Sequence, residues 1–290
     1  MYVVVGVSGN TGSVVASALL DRRQKVRVVV RDRAKGAAWA SQGAEVAVAE
    51  LNDPEALAHS FAGAKGAYVL VPPQNASTSV LTDNAKVVNA IVAAAKASKI
   101  LHVVLLSSLG AHLPKGTGML RSLHDAESKL STLEGIAMTV VRAGSFYENN
   151  ASALGAAKGG GVFPTFLRKD IVLPWVGSKD IGRAAACALL EGPRGIEVIE
   201  LSGPRELTPT DIAGALGKLL GKELQIQEAP DAAIVPTMTS FGFSQDMAGL
   251  YRELYQGLNA GTTRFEGGRA RQVRGELSIE DYLRGALAAD

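Results

Sequence analysis

Short apolar runs alternate with longer stretches of helical spacing through the first half of the chain. Tyr2–Val7, Val26–Arg31, Glu45–Ala49, Gly66–Val71, Leu101–Leu106 and Met138–Arg142 are rich in β-branched residues and almost unbroken by polar ones. Such runs suit parallel strands covered on both faces. Between them, Val80–Ser98 repeats apolar residues at three- and four-residue spacing (Val87, Val88, Ile91, Val92, Ala95), the stripe of a helix lying on a sheet. Strand and helix in alternation predict right-handed βαβ units and an α/β fold with a doubly wound parallel sheet. Beyond Tyr147 the pattern loosens. Ala151–Val162 carries four glycines and reads as a mobile loop or a frayed helix end. Asp180–Leu190 predicts a helix, Val198–Leu201 a strand, and Thr208–Leu220 a helix opened by Thr-Pro and closed by Gly221. The expected organisation is a dinucleotide-binding core over 1–150 and a smaller α+β substrate lobe over 151–290. The segment near 172–202 is expected to return to the core.

Composition narrows the function classes. The chain has 290 residues, 47% of them hydrophobic, which is enough for a large core. Thirty basic side chains against 28 acidic ones leave a formal charge of +2, so nothing in the overall balance draws the protein to nucleic acid or an anionic membrane. The single cysteine, Cys187, forbids an internal disulfide framework and fits a reducing compartment. No apolar run reaches the roughly 20 residues that span a bilayer. The expectation is a cytoplasmic protein without a membrane or nucleic-acid partner. Its four histidines are scattered, so no metal site is expected. The basic cluster Arg264–Arg274 reads as a solvated face.

The strongest local motif is Val5-Gly6-Val7-Ser8-Gly9-Asn10-Thr11-Gly12, between the first strand and the first helix. Glycines there let the backbone turn sharply and approach phosphate oxygens, while the helix N-terminus offers free N–H groups and a partial positive charge. Asn10 and Thr11 can add side-chain donors. The second strand runs into Arg31-Asp32-Arg33, and Arg31 stands where an acidic residue would bind a ribose 2′-hydroxyl. A guanidinium there suits a 2′-phosphate, so NADP(H) is expected over NAD(H). Asp32, rotated inward, would serve NAD instead.

These residues and several later segments resemble the NmrA-like branch of the atypical short-chain dehydrogenase/reductases. The segments are Leu106-Ser107-Ser108-Leu109-Gly110, His124 to Leu130, Val141-Arg142-Ala143-Gly144-Ser145-Phe146-Tyr147-Glu148-Asn149, Asp180-Ile181-Gly182 and Leu201-Ser202-Gly203-Pro204. The resemblance covers about residues 1–225. It implies a Rossmann fold and a relationship to quinone reductase-like enzymes, isoflavone reductase-like enzymes and regulators that bind the dinucleotide without turning it over. By position it implies that Gly6, Ser8, Gly9, Asn10, Thr11 and Gly12 form the pyrophosphate loop and that Arg31 meets the 2′-phosphate. It also implies that Val71 and Pro72 lie over the adenosine and ribose. Ser107 and Ser108 end the fifth strand near the nicotinamide, and Gly144, Ser145 and Phe146 resemble the loop beside nicotinamide and substrate.

One feature of typical short-chain reductases is missing. The usual Tyr-x-x-x-Lys pair places a proton-donating phenol and a lysine on one helical face. Here Lys129 is present and Asp125 stands four residues before it. The expected stripe of that helix is Leu123, Ala126, Leu130 and Leu133, with Lys129 on its flank and His124 projecting away from it toward a surface role. The candidate catalytic residues are therefore Lys129, Tyr147 and Ser107, with Lys129 doubling as a cofactor contact. A quinone is a strong hydride acceptor and needs only a modest donor such as Tyr147, while Phe146-Tyr147 offers a flat surface to stack on. The expected function is an NADPH-dependent oxidoreductase acting on a small flat electrophile such as a quinone. The alternative is an NADP(H)-sensing regulatory protein with little turnover that binds a protein partner. The expected assembly is a monomer or homodimer.

Overall fold

The structure is a computed structural model and describes residues 1–289. Among these residues twelve strands occur in chain order: β1 (Tyr2–Val5), β2 (Val26–Val30), β3 (Glu45–Val48), β4 (Gly66–Val69), β5 (His102–Ser108), β6 (Ala137–Ala143), β7 (Ser145–Phe146), β8 (Val162–Thr165), β9 (Trp175–Val176), β10 (Ile196–Ser202), β11 (Gln225–Glu228) and β12 (Arg271–Arg274). The helices are α1 (Asn10–Asp21), α2 (Ala37–Ser41), α3 (Pro54–Phe61), α4 (Val80–Ser98), α5 (Arg121–Leu130), α6 (Ala151–Gly160), α7 (Ser178–Glu191), α8 (Pro209–Leu220), α9 (Ile234–Ser240), α10 (Gln245–Asn259) and α11 (Ile279–Ala289).

Eight strands make one sheet in the order β12-β10-β6-β5-β4-β1-β2-β3, and every pairing in it is parallel. This is a Rossmann-like doubly wound sheet. Its order reverses beside β1, the switch point where such folds open a crevice at the carboxyl ends of the strands. Alternate residues of the strands feed two cores. Val4, Val28, Val104 and Val141 pack under α1 and α7, while Val3, Val5, Val103, Leu105 and Val140 pack under α3, α4 and α5. The α1–α7 crossing is close enough that a Cβ on Gly182 would stand 2.5 Å from the Val14 Cβ and 2.8 Å from the Thr11 carbonyl oxygen. The glycine of Asp180-Ile181-Gly182 is thus a packing requirement, and the Asp180 carboxylate accepts the Leu277 N–H at 2.8 Å.

A third core fills the lobe, built by α6, β8, α8 and α11 around Tyr147, Leu154, Phe163, Trp175, Leu216 and Leu283. Two parts of the later chain return to the main sheet. β10 pairs with β6, and β12 pairs with β10 at the sheet edge. Arg271–Arg274 is therefore a strand, with Arg271 paired to Glu191 and Glu197. Ala151–Gly160 forms a helix closed by Gly161 at φ 66°, where a mobile loop or frayed helix end was the expectation. α8 starts with a full capping box between Thr208 and Asp211 and ends on Gly221 in the left-handed region. No helix among the described residues is long and apolar enough to cross a membrane.

Candidate functional site

The turn from β1 into α1 is shaped by two glycines for two different reasons. Gly6 holds φ 72°, and a Cβ on it would meet Leu70 Cδ2 at 2.8 Å. A Cβ on Gly12 would fall 2.3 Å from the Gly6 carbonyl oxygen, so the helix can seat against its own turn only with glycine there. Gly9, the N-cap, is different. Its backbone is extended (φ −100°, ψ 172°), and a Cβ would touch only the Gly6 oxygen at an ordinary 3.4 Å. Its missing side chain leaves clear the space in front of the helix. The first helical bond runs from Ser13 N–H to the Gly9 carbonyl, so the amides of Asn10, Thr11 and Gly12 precede the ladder. No side chain caps them and no acid sits in the first turn. The donor set fits an anionic diphosphate. Ser8 and Asn10 are exposed beside it. The Thr11 side chain is not: it is buried and accepts the Tyr68 hydroxyl at 2.8 Å, so Thr11 faces the core and has only its backbone amide to offer.

A cavity of about 610 Å³ continues from this turn along the carboxyl ends of β1, β2, β3 and β4. Arg31, Lys35, Leu51, Asn52, Leu70 and Pro72 are among the residues lining it. Val71, expected there, instead packs into the α3–α4 core. Arg31 lies just past the end of β2, and Lys35 follows one turn later. Both are exposed, and neither has a carboxylate partner among the described residues. The Asp32 carboxylate accepts the Ala34 N–H at 3.0 Å and caps the short helical turn that carries Lys35. Asp32 is thereby committed to the backbone. Lys35 was missed by sequence reasoning, although its place four residues after Arg31 was the available signal. On the opposite wall, Asp83 is neutralised by Lys86 at 2.8 Å.

The far end of the rim, at β5 and β6, is arranged otherwise. Ser107 is 2% exposed, and its Oγ donates to Glu127 Oε1 at 2.5 Å. Glu127 takes a two-point grip from Arg142, with Nε at 3.1 Å and Nη2 at 2.7 Å, and Arg142 Nη1 reaches Glu266 at 2.5 Å. Ser107, Glu127 and Arg142 are buried between β5, β6 and α5, with the exposed Glu266 closing the network from outside, which corrects the role expected for Ser107: its hydroxyl is spent inside the protein. It also corrects the expected stripe of α5. Glu127 is buried there with Ala126 and Leu130, whereas Leu123 is only half-buried. A lone arginine within an otherwise apolar strand was the signal that a buried acid waits opposite.

Lys129 does not reach the cofactor region. α5 runs back from the carboxyl rim toward the start of β6, and Lys129 lies in its last turn. Its ammonium bonds Asp125 at 2.8 Å and Asn89 of α4 at 2.9 Å, on the outer seam of the two helices. Tyr147 is 0% exposed, stacked obliquely on Tyr282 at 5.7 Å, and a Cβ on Gly203 would stand 2.4 Å from its hydroxyl. Burial, with Asp180 adding to it, pushes its phenol up to about 12. It is a plug of the lobe core and cannot act as the substrate-facing donor. Trp175 is buried too, its indole N–H bonded to the Leu207 carbonyl at 3.1 Å. Ser108, Ser145 and Phe146 remain half-buried at the rim. Gly144 is held there by a close approach: a Cβ would fall 2.1 Å from the Pro174 oxygen. His124, expected at the surface, is half-buried and bonds the Ala111 carbonyl through Nδ1 at 2.9 Å.

The model of the NmrA-like family matches residues 2–262. The chain belongs to this family. It is 26% identical over 255 residues to an NAD(P)H azoreductase of Xenophilus azovorans, covering 88% of this chain and 86% of that one. It is 27% identical over 264 residues to quinone oxidoreductase 2 of Escherichia coli, covering 90% and 89%. Among solved structures, the NADPH complex of the Escherichia coli quinone oxidoreductase superposes with a TM-score of 0.84 at 23% identity, over 99% of this chain and 100% of that one. The NADP(H) complex of a Citrobacter triphenylmethane reductase gives 0.83 at 19%, over 99% and 100%. These likenesses establish the family's fold across the whole chain, including the lobe beyond residue 225.

Proposed function

We propose that the protein is an NADPH-dependent reductase of a small flat acceptor, with quinones and azo compounds as the leading classes. The observation that carries this reading is the pairing of an uncapped, acid-free helix end with two unpaired cations, Arg31 and Lys35, on one continuous cavity. The amides of Asn10, Thr11 and Gly12 would hold the diphosphate, and Gly9 gives it room. Arg31 and Lys35 would hold the 2′-phosphate, Arg31 by its planar fork and Lys35 as a point charge. Leu51 and Asn52 would border the adenine. When bound, NADPH supplies a hydride with its electron pair. The names of the azoreductase and quinone oxidoreductase relatives agree with this chemistry.

Calorimetric titration with NADPH and NADH tests the cofactor assignment. Arg31→Ala is expected to weaken NADPH binding about 10- to 100-fold, the worth of a charge-assisted contact of roughly 1.5–3 kcal/mol, and to leave NADH unchanged. Lys35→Ala is expected to do the same to a smaller extent. Equal losses for both nucleotides would remove the 2′-phosphate assignment.

A second reading, a nucleotide sensor that binds a protein partner, is favoured by one observation. All three residues expected to do chemistry, Ser107, Lys129 and Tyr147, are engaged within the protein. It predicts tight NADPH binding with no oxidation of the nucleotide across a panel of quinones and azo dyes. Steady turnover of any acceptor decides against it.

A further inference from the structure

With Ser107, Lys129 and Tyr147 occupied, the rim still holds a side chain of acid–base chemistry that none of them engages, the imidazole of His124. α5 begins at the carboxyl rim, and His124 lies in its first turn, facing the loop that leaves β5. That loop is fixed. The Leu109 N–H donates to the Ala143 carbonyl at 2.9 Å, the Gly110 N–H to the Arg264 carbonyl at 2.9 Å, and the Ala111 N–H to the Ser108 carbonyl at 3.1 Å. Gly110 makes the turn at φ 78° with Thr263 against it. The Ala111 carbonyl is therefore a stationary acceptor, and a carbonyl carries no proton. The bond of 2.9 Å thus requires the hydrogen on His124 Nδ1. This leaves Nε2 as the working nitrogen: it bonds no group among the described residues, and it is not among the buried polar atoms lacking a partner. His112, on the same loop, differs. Its Nδ1 is sealed without a partner, and it stands near the Glu266 carboxylate. The half-buried hydroxyls of Ser108 and Ser145 flank the same rim but hold their protons too tightly to give them to a phenolate.

We propose that His124 is the proton donor of the acceptor site, an inference that rests on the reductase reading above. A quinone that takes up a hydride and its electron pair becomes a hydroquinone monoanion, with charge on the oxygen that gained no hydrogen. The protonated ring of His124 gives its Nε2 proton to that oxygen, the N–H bond breaks as the O–H bond forms, and neutral hydroquinone leaves. Solvent returns a proton to Nε2, and the nucleotide departs oxidised. The Ala111 tether holds the ring in one tautomer and one orientation, as a catalytic imidazole needs.

His124→Asn is the test, because the asparagine amide can keep the donor to the Ala111 carbonyl while the second ring nitrogen is lost. Two acceptors separate the steps: a quinone, which needs hydride and proton, and a cationic triarylmethyl dye, which hydride alone turns into a neutral product. The variant is expected to lose about 10²- to 10³-fold in kcat with the quinone, with NADPH affinity and the dye rate within about twofold of the parent. A second readout needs no turnover. The parent protein loaded with NADP is expected to bind 4-nitrophenol largely as the coloured phenolate at a pH where the free phenol is mostly neutral, and His124→Asn to lose that shift. Equal loss on both acceptors, or no loss on either, overturns the proposal and leaves the reductase reading intact. If the parent protein turns over no acceptor, the reductase reading fails instead. The 4-nitrophenol result then decides for or against His124 alone.

Discussion

The two ends of the carboxyl rim treat their polar groups in opposite ways. At β1–β3 they are left bare: three helix-end amides outside the ladder, a glycine that clears space, and two cations, Arg31 and Lys35, that no carboxylate pairs with among the described residues. At β5–β6 they are consumed. Ser107, Glu127, Arg142 and Glu266 satisfy one another in a chain of bonds between 2.5 and 3.1 Å. The bare end is poised to receive an anion, and its cost is deferred until the ligand arrives. The consumed end is scaffold, since Ser107, Glu127 and Arg142 are buried and each would be uncompensated without the next. Polar residue type at a strand end is thus a poor guide to chemistry, and a partner already in place is the better discriminator.

The largest expected effect lies at the consumed end. Glu127→Ala would leave Arg142 buried with only Glu266, and should lower unfolding stability in urea by about 3–5 kcal/mol. A loss below about 1 kcal/mol would mean the network is peripheral and the contrast overdrawn. Next comes Gly12→Ala. Its added methyl collides with the Gly6 carbonyl oxygen at 2.3 Å, so α1 must shift, at roughly 1–3 kcal/mol, and NADPH binding measured by calorimetry should collapse. By contrast Gly9→Ala should cost little stability and still weaken NADPH, because its methyl meets only the Gly6 oxygen at an ordinary contact distance in the protein and phosphate in the complex.

A smaller effect sharpens the contrast away from the rim. His102, at the opposite end of β5, is buried against Thr139 at 2.9 Å, and burial lowers its pKa from the ordinary value. The folded state then resists a proton that the unfolded chain accepts. Stability is fully present above the unfolded value of about 6.5 and falls as pH drops below it, by at most about 1.4 kcal/mol per unit. Urea midpoints at pH 7.5 and 5.5 should differ, and His102→Gln should shrink that difference. The smallest change is expected from Tyr147→Phe, which should leave NADPH oxidation within about twofold. A hundredfold loss would return Tyr147 to the chemistry and undo its assignment as a core plug.

Much of the fold was legible because it rests on local pattern. The β-branched runs gave the first six strands to within two residues, and the stripe of α4 gave Val80–Ser98 to the residue. The phosphate turn was legible because its glycines obey backbone sterics that spacing reveals. What escaped depends on contacts between distant segments. Nothing near Ser107 in sequence announces Glu127, and α5 turned its acid inward because Arg142 of β6 was there to meet it. The register of α5 against the rim was equally hidden, since it depends on where the helix begins: at Arg121, which puts His124 at the rim and Lys129 at the opposite end. The return of β12 to the sheet edge could not be read either, because four residues rich in arginine look like solvated surface until a neighbouring strand accepts them.

That last strand has a consequence for what counts as the inherited unit. The family model stops at residue 262, yet Glu266, the second carboxylate on Arg142, and β12 both lie past it. Buried Glu200 grips the Glu266 and Gly267 amides and the Gln272 side chain, stitching this stretch to β10. A chain cut at the recognised boundary would expose the flank of β10 to pairing with other chains and strip a counter-charge from buried Arg142. Evolutionary recognisability and mechanical completeness therefore end at different residues in this protein, and the shorter of the two is not the piece that holds itself together.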